Sequence, residues 1–333
     1  MTFDDLPRVN LVHAPTPLEP LGALRERMGG PRIWMKRDDC TGLAGGGNKT
    51  RKLEYLIAEA EAEGARAVIT FGALQSNHAR QTAAACARRG LTCDLILVPA
   101  VPREEDDYTR SGNLLLDGIL GARVHCLKPG EKPAAVLETV LAEHAAAGRR
   151  GYVIPTGGSN ATGALGYVRA AREIAAQCRE RGIYPAAVVH ATSTGGTQAG
   201  LLAGFRLEGL STRVIGINVY SRDSDQIAAR IEALTVEVLA RLAPGMAPAA
   251  NGVEVVDGFL GEGYGLPTAA MVDAVTLLAR SEGVLLDPVY SGKGMAGLLA
   301  MLERGAFVDD DDLIFLHTGG AQALSVYTSA FSD

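Results

Sequence analysis

Short runs of β-branched and aliphatic residues alternate with longer, alanine-rich stretches of helical spacing along almost the whole chain, and that alternation leaves few folds open. Ala67 to Phe71, Leu95 to Val98, Tyr152 to Ile154, Ala187 to His190, Val214 to Val219, Val284 to Leu286 and Leu313 to Leu316 read as strands. Between them apolar residues recur three and four apart, as in Leu53, Leu56, Ile57 and Ala60. Parallel neighbours need a crossover helix, and that helix must bury one face, so the order predicts an α/β fold of mainly parallel sheets with helices on both faces. A chain of 333 residues has material for about two such domains.

Charge and hydropathy remove several function classes. A net charge of -6 with scattered basic residues gives no footprint for nucleic acid or an anionic membrane, so a small-molecule partner is expected. No run approaches the roughly 18 apolar residues of a membrane span, and Met1 to Leu11 has no apolar signal core, which predicts a cytoplasmic protein. Cys40, Cys86, Cys93, Cys126 and Cys178 are odd in number and form no C-x-x-C pair, so reduced thiols are expected. Cys40, near Lys49 in sequence, reads as a buried spectator thiol. Asp309 to Asp312 read as a solvated turn rather than a metal site. Pro102 to Arg110 and Ala243 to Gly252 read as surface connections.

In open parallel sheets ligands bind at the carboxyl ends of strands beside helix N-termini, so the turns that follow strands carry most of the functional information. Four have suitable composition: Phe71 to His78, Pro155 to Ser159, Thr192 to Thr197 and His317 to Gly320. A fifth segment, Gly45-Gly46-Gly47-Asn48-Lys49-Thr50-Arg51-Lys52, delivers a lysine to the start of a helix. A nucleotide P-loop would need the lysine directly after its last glycine; Asn48 intervenes, which argues against it. The other reading of Lys49 is the Schiff-base lysine of a pyridoxal phosphate (PLP) enzyme, with the phosphate held by a separate glycine loop. Ala191-Thr192-Ser193-Thr194-Gly195-Gly196-Thr197-Gln198 has the makings of such a loop: glycines that admit an anion to backbone N–H groups, hydroxyl donors and a helix dipole, with no basic side chain of its own. The dinucleotide fingerprint is absent from it. Ser76 and Asn77 read equally well as helix caps or as donors to a ligand.

Taken together these motifs are similar to those of the fold type II PLP enzymes, in the group of 1-aminocyclopropane-1-carboxylate (ACC) deaminase, D-cysteine desulfhydrase and L-cysteate sulfo-lyase. The resemblance runs from Pro15-Thr16-Pro17-Leu18 and Lys36-Arg37-Asp38-Asp39 through Gly46-Gly47-Asn48-Lys49, Gln75-Ser76-Asn77-His78 and Asp287-Pro288-Val289-Tyr290 to His317-Thr318-Gly319-Gly320. It implies a two-domain, tryptophan synthase β-like fold, with a large PLP-binding domain of residues 1–49 and 160–333 around a small domain of residues 50–159, and a homodimer. By the same resemblance Lys49 carries the cofactor and Asn77 bonds its phenolic oxygen. Thr194, Gly195, Gly196 and Thr197 hold its phosphate, Tyr290 lies against its ring and Thr318 adjoins it. Ser76, Asn77, His78 and Tyr264 take substrate-side positions, and Lys49, Ser76, Tyr264 and Tyr290 are the catalytic candidates.

Two positions separate the branches of that group. ACC deaminases carry glutamate after the tyrosine matched by Tyr290 and leucine at the position of Thr318, whereas this chain has Ser291 and Thr318, the pairing of the sulfur amino acid lyases. A carboxylate near the pyridine nitrogen strengthens the ring as an electron sink, and a neutral hydroxyl does so much less. Opening a cyclopropane needs the stronger sink, and expelling a thiolate or sulfite does not. The expectation is therefore β-elimination from D-cysteine or L-cysteate, giving pyruvate, ammonium and sulfide or sulfite; the alternatives are ACC deamination and non-catalytic binding of a phosphorylated ligand. Arg51, Lys52 and His78 are candidate anion contacts, with Arg51 and Lys52 reading first as solvated helix charges.

Overall fold

The structure, a computed structural model, describes residues 3–128, 130–250 and 252–332; Met1, Thr2 and Asn251, which fall in the N-terminal and 243–252 stretches read above, lie outside the described residues. Its strands are β1 (Leu18–Pro20), β2 (Arg32–Arg37), β3 (Ala67–Ala73), β4 (Thr92–Val98), β5 (Arg123–Cys126), β6 (Gly151–Ile154), β7 (Pro185–Thr192), β8 (Arg213–Asn218), β9 (Glu254–Val256) and β10 (Asp312–His317). Its helices are α1 (Gly22–Met28), α2 (Lys49–Ala62), α3 (Asn77–Arg89), α4 (Asp106–Arg110), α5 (Gly112–Ile119), α6 (Pro133–Ala146), α7 (Ala161–Arg181), α8 (Gly196–Leu207), α9 (Ser224–Leu242), α10 (Ala269–Glu282) and α11 (Ser291–Glu303).

Local chemistry sets the helix ends. Ser76, Asn160, Asp223 and Thr268 each accept, through a side-chain oxygen, an N–H from the first turn of the helix they precede. At the far ends of α3, α7 and α10, Gly90, Gly182 and Gly283 take the left-handed conformation that stops a helix.

The strands form two sheets. The larger has the order β1-β2-β10-β7-β8-β9, parallel except for β1, and the smaller the order β5-β4-β3-β6, parallel throughout. Strand periodicity feeds two cores in each. Val68, Leu95 and Leu97 face α2 and α3, while their neighbours Ile69 and Ile96 meet Leu127 and Val140 on the opposite face. In the larger sheet Val189, Ile215, Leu313 and Phe315 pack toward α10 and α11, and Val188, Val214, Ile314 and Leu316 toward α7 and α8. This is the mainly parallel, two-faced α/β architecture expected.

Both sheets reverse their winding, and the reversals face each other. In the smaller sheet β4 and β5 build out on one side of β3 and β6 lies on the other; in the larger, β8 and β9 build out on one side of β7 and β10 lies on the other. Each reversal opens a crevice at the carboxyl ends of its central strands.

Three expectations are corrected, and β2 was not among the strands expected. Val284 to Leu286 form no ladder: Val284 and Leu286 are buried as an extended segment in the core beside α10, and the Leu285 carbonyl accepts from His317 Nε2 (3.1 Å). β2 went unread because its basic residues mask a buried strand: Lys36 is fully buried beneath Glu173. Asp312 is no solvated turn residue, since it opens β10 and accepts from Arg32 Nε (2.7 Å) and Trp34 Nε1 (2.9 Å). The connection 102–110 holds a helical turn whose Tyr108 is buried against Tyr327.

Candidate active site

A cavity of about 370 Å³ lies between the two crevices, and all four strand-end turns named from sequence contribute to its wall. Lys49 enters it from the first position of α2. The turn before it is pinned from three directions: the Gly47 N–H donates to Thr41 Oγ1 (2.7 Å), the Asn48 N–H to the Thr318 carbonyl (3.0 Å), and Asn48 Nδ2 to Thr197 Oγ1 (3.1 Å). Gly46 is required there, because at its φ of +74° a Cβ would fall 1.8 Å from the Asp39 carbonyl oxygen. Burial lowers the Lys49 ammonium to about 8, so the amine is partly neutral near physiological pH.

The opposite wall is the N-terminus of α3. Ser76 caps it, its Oγ accepting from the Ala79 N–H (3.1 Å), and the first-turn N–H groups beyond the cap have no intrahelical acceptor. Asn77 Oδ1 accepts from Asn113 Nδ2 (2.9 Å), which leaves its Nδ2 as the group free to donate. His78 lies behind them, with Nε2 2.8 Å from Thr70 Oγ1. The Thr70 proton is already given to the Ile154 carbonyl (2.8 Å), so His78 Nε2 must be the donor and Nδ1 a bare lone pair, which has no partner among the described residues. Burial, and then the charges of Lys49 and Lys52, hold this ring well below the usual histidine range.

At the end of β7, Gly195 and Gly196 open α8, and Thr194 Oγ1 lies 2.7 Å from Ser159 Oγ. Lys52 is buried here, not solvated, with Nζ donating to the Gly157 carbonyl and to Ser159 Oγ, both at 3.1 Å. A Cβ on Gly196 would come within 2.9 Å of that amine, so the glycine is what lets the ammonium close on the cup. The cup therefore does have a basic side chain, supplied from α2. Lys52 stands three residues after Lys49, on the same helix face, a spacing that by itself does not separate it from a solvated charge. His190, not among the sequence candidates, lines the cavity with Nδ1 bonded to the Ala191 carbonyl (2.8 Å), and burial lowers it to about 4.

Tyr264 and Tyr290 close the site, hydroxyl to hydroxyl, with ring centroids 6.0 Å apart and Tyr220 stacked edge-on against Tyr264. Burial holds both phenols well above their ordinary range. Tyr290 is fixed from below by Asp287, whose carboxylate accepts the N–H groups of Val289, Tyr290 and Ser291. Ser291 does not line the cavity; its hydroxyl donates to Asp287 Oδ1 (2.6 Å). Thr318 does line it.

Two further expectations fail on geometry. Arg51 is buried in bidentate contact with both Asp38 and Glu173 and cannot serve as an anion contact in the cavity. Cys40 is exposed, with Sγ 3.6 Å from Asp39 Oδ2, and is neither buried nor part of the wall. The structure thus brings Lys49, Ser76, Asn77, His78, Thr194, Gly195, Thr197, Tyr264, Tyr290 and Thr318 to one cavity, with Gly196 behind the cup.

This wall fits a phosphorylated aldehyde. It offers an amine of lowered basicity, a helix N-terminus flanked by hydroxyls and a buried ammonium for a phosphate, and one unengaged amide donor.

Comparison with known proteins agrees. Residues 9–319 match the sequence profile of the family described as "Pyridoxal-phosphate dependent enzyme". The D-cysteine desulfhydrases of Salmonella newport (strain SL254) and Salmonella choleraesuis (strain SC-B67) are each 44% identical over 321 residues, covering 96% of this chain and 96% of theirs. A crystal structure described as an ACC deaminase homologue superposes with a TM-score of 0.87 at 34% identity, covering 99% of this chain and 96% of that one. The processed form of threonine deaminase isoform 2 from Solanum lycopersicum shares the fold, with a TM-score of 0.65 at 17% identity, covering 96% of this chain and 84% of that one.

Proposed function

This chain belongs to the pyridoxal-phosphate dependent enzymes, and from that premise we propose that it is a carbon–sulfur lyase acting on D-cysteine: cysteine and one water give pyruvate, ammonia and hydrogen sulfide. The observation that carries the substrate is the charge inventory of the wall, which among the described residues contains no Asp, Glu or Arg. A sulfonate such as that of L-cysteate asks for a guanidinium or an imidazolium, yet Arg51 is committed elsewhere and His78 has given its one N–H to Thr70. A thiol asks for neither. ACC deamination asks for a carboxylate beside the ring; the position of that glutamate is Ser291 here, whose hydroxyl is spent on Asp287, and Thr318 adds only a hydroxyl to the wall.

When bound, the cofactor supplies an aldehyde for amines and a ring that draws electrons from the substrate's α-carbon. Lys49 would hold it, and its free Nζ would serve as a base whose basicity burial has brought near neutral pH. Lys52, Thr194, Thr197 and the opening N–H groups of α8 would hold the phosphate. Asn77, whose Nδ2 is free to donate, would meet the phenolic oxygen, and Tyr290 would pack against the ring. The open N–H groups at the start of α3 receive the substrate carboxylate, with Ser76 and His78 beside it. Because Ser76 Oγ already accepts the Ala79 N–H, its own proton remains available to be donated. The two phenols stay protonated across the physiological range and share a hydrogen bond, which suits them to steady a departing thiolate rather than to remove a proton. In this reading residues 1–49 with 160–333 form the large PLP-binding domain and residues 50–159 the small domain. The five free cysteines support a cytoplasmic setting, and a homodimer is the assembly that the group resemblance implies.

The test is paired turnover with D-cysteine, L-cysteate and ACC, reading pyruvate or 2-oxobutyrate together with sulfide or sulfite, and borohydride fixation of the cofactor on wild type and Lys49→Ala. D-Cysteine should lead by at least tenfold, and only the wild type should retain reduced cofactor. A lead for L-cysteate would overturn the substrate, and full turnover by Lys49→Ala the role of the lysine.

A further inference from the structure

Three buried residues outside the cavity form a chain of hydrogen bonds that ends on Asn77. Arg80, in α3, is fully buried and forms no salt bridge among the described residues, the carboxylate that acts on it being Asp117 at longer range. Its guanidinium donates to the Gly46 carbonyl (3.2 Å), to the Ala44 carbonyl and, through Nε, to Asn113 Oδ1 (2.7 Å). Asn113, at the start of α5 and also fully buried, donates from Nδ2 to the Gln75 carbonyl (2.9 Å) and to Asn77 Oδ1 (2.9 Å). Gln75 closes the frame by accepting the Asn113 N–H at Oε1 (2.8 Å) and donating to the carbonyls of Tyr108 and Ser111.

The direction of this chain is dictated by chemistry. An amide side chain can be turned end for end with little change in shape, so its orientation must come from its neighbours. Arginine has five donors and no acceptor. Arg80 Nε can therefore face only the oxygen of Asn113, which turns the Asn113 NH₂ toward Asn77, and Asn77 can meet it only with Oδ1. Arg80 Nη2, 3.5 Å from the same Oδ1, presses in the same direction. Asn77 is left with Nδ2 outward, against Gly320 and the cavity, as a donor that cannot become an acceptor.

We propose that Arg80 and Asn113 are positioning residues that hold the Asn77 amide with its NH₂ toward the cofactor's phenolic oxygen. The inference rests on the reading above that Asn77 meets that oxygen. Ala44 and Gly46 are joined to Arg80 by the same contacts, so the turn that delivers Lys49 and the amide that would meet the cofactor oxygen are registered by one guanidinium.

Asn113→Asp keeps the shape and removes the donor: a carboxylate accepts from Arg80 and from Asn77 alike, so the Asn77 amide turns over and presents its oxygen. The readout is the visible absorbance of the lysine-bound cofactor titrated with pH, which reports the proton shared between Schiff-base nitrogen and phenolic oxygen, with Asn77→Ala as reference. Loss of a donor to that oxygen should raise the midpoint by about one pH unit in both variants. The double variant should add nothing beyond Asn77→Ala, because both changes act through one amide. If Asn77→Ala moves the midpoint and folded Asn113→Asp does not, the relay is overturned while the place of Asn77 stands. If Asn77→Ala leaves the midpoint unmoved, the place of Asn77 falls, and the relay with it. Should Asn113→Asp fail to fold, Arg80→Lys carries the test: it keeps the charge but loses the planar fork, frees Asn113 to turn and should shift the midpoint the same way. An unmoved midpoint in folded Arg80→Lys overturns the proposal.

Discussion

Lys49 and Lys52 stand three residues apart on one face of α2, both drawn out of water, and burial pulls both ammonium groups down, Lys52 the further. Two such groups resist being charged together, and a bound phosphate would relieve the pair by matching Lys52. The consequence is testable on the cofactor-free chain. Only the neutral amine attacks an aldehyde, so the rate of cofactor attachment should rise with pH and level off above about 8, roughly two units below an ordinary lysine. Stopped-flow absorbance across pH 6 to 11 reads this directly, and a midpoint near 10 would show Lys49 to be hydrated and unactivated. The sequence made Lys49 visible because a glycine run is costly unless a turn needs it. Lys52 carried no such mark, since a charged residue inside an amphipathic helix looks like any solvated one until the facing element is known. The same limit applied to Ser291, whose hydroxyl is spent on Asp287 instead of lining the cavity.

Among the elements, the first turn of α11 joins the two tyrosines. Tyr290 precedes it, and one turn on, the fully buried Lys293 reaches back to donate to the carbonyls of Leu260 (2.7 Å) and Gly263 (3.4 Å), in the segment that carries Tyr264. Lys293→Met preserves the linear side chain but leaves both carbonyls without this donor, a loss of roughly 1–3 kcal/mol. The expected outcome is faster amide exchange across residues 259–265 and a KM for D-cysteine raised several-fold, with kcat less affected. Unchanged exchange in that segment would show that the ammonium is no tether. The strand-end turns around the site were legible because glycine and hydroxyl residues after an apolar run have few other uses. Less legible were β2, where buried Lys36 and the exposed Arg32 read alike as surface charge, and Val284 to Leu286, where apolar content signalled burial but not pairing. Periodicity reports which face is buried; it does not report which edge is hydrogen-bonded.

For the molecule as a whole, the start of α2 is anchored to the larger sheet by a charge network that no local pattern could reveal, since its partners lie far apart in sequence. Arg51 bonds Asp38 and Glu173 in bidentate fashion, Lys36 reaches Glu173 (2.5 Å) and the Thr16 carbonyl (2.7 Å), and the Tyr167 hydroxyl donates to Asp38 (2.6 Å). It ties the N-terminal segment, β2, α2 and α7 together two residues from Lys49. Burial alone would push the Glu173 carboxyl up, but the Arg51 guanidinium and Lys36 ammonium outweigh it and hold it at about 2. A carboxylate held below its unfolded range stabilises the fold above about pH 4.5, and that contribution fades as pH falls toward the folded value. Glu173→Gln removes the charge and leaves two buried cations with Asp38 alone, which should lower stability at pH 7 by about 3–5 kcal/mol. Denaturant unfolding of the two proteins should show this gap at pH 7 and a narrowing gap below pH 4, as the wild-type carboxylate begins to take up its proton. A gap under about 1 kcal/mol at pH 7 would mean that relaxation or water hydrates the pair, and the network would then orient α2 without contributing to its stability. A gap of full size that does not narrow in acid would place the stabilisation in the packing of the Glu173 side chain rather than in its charge.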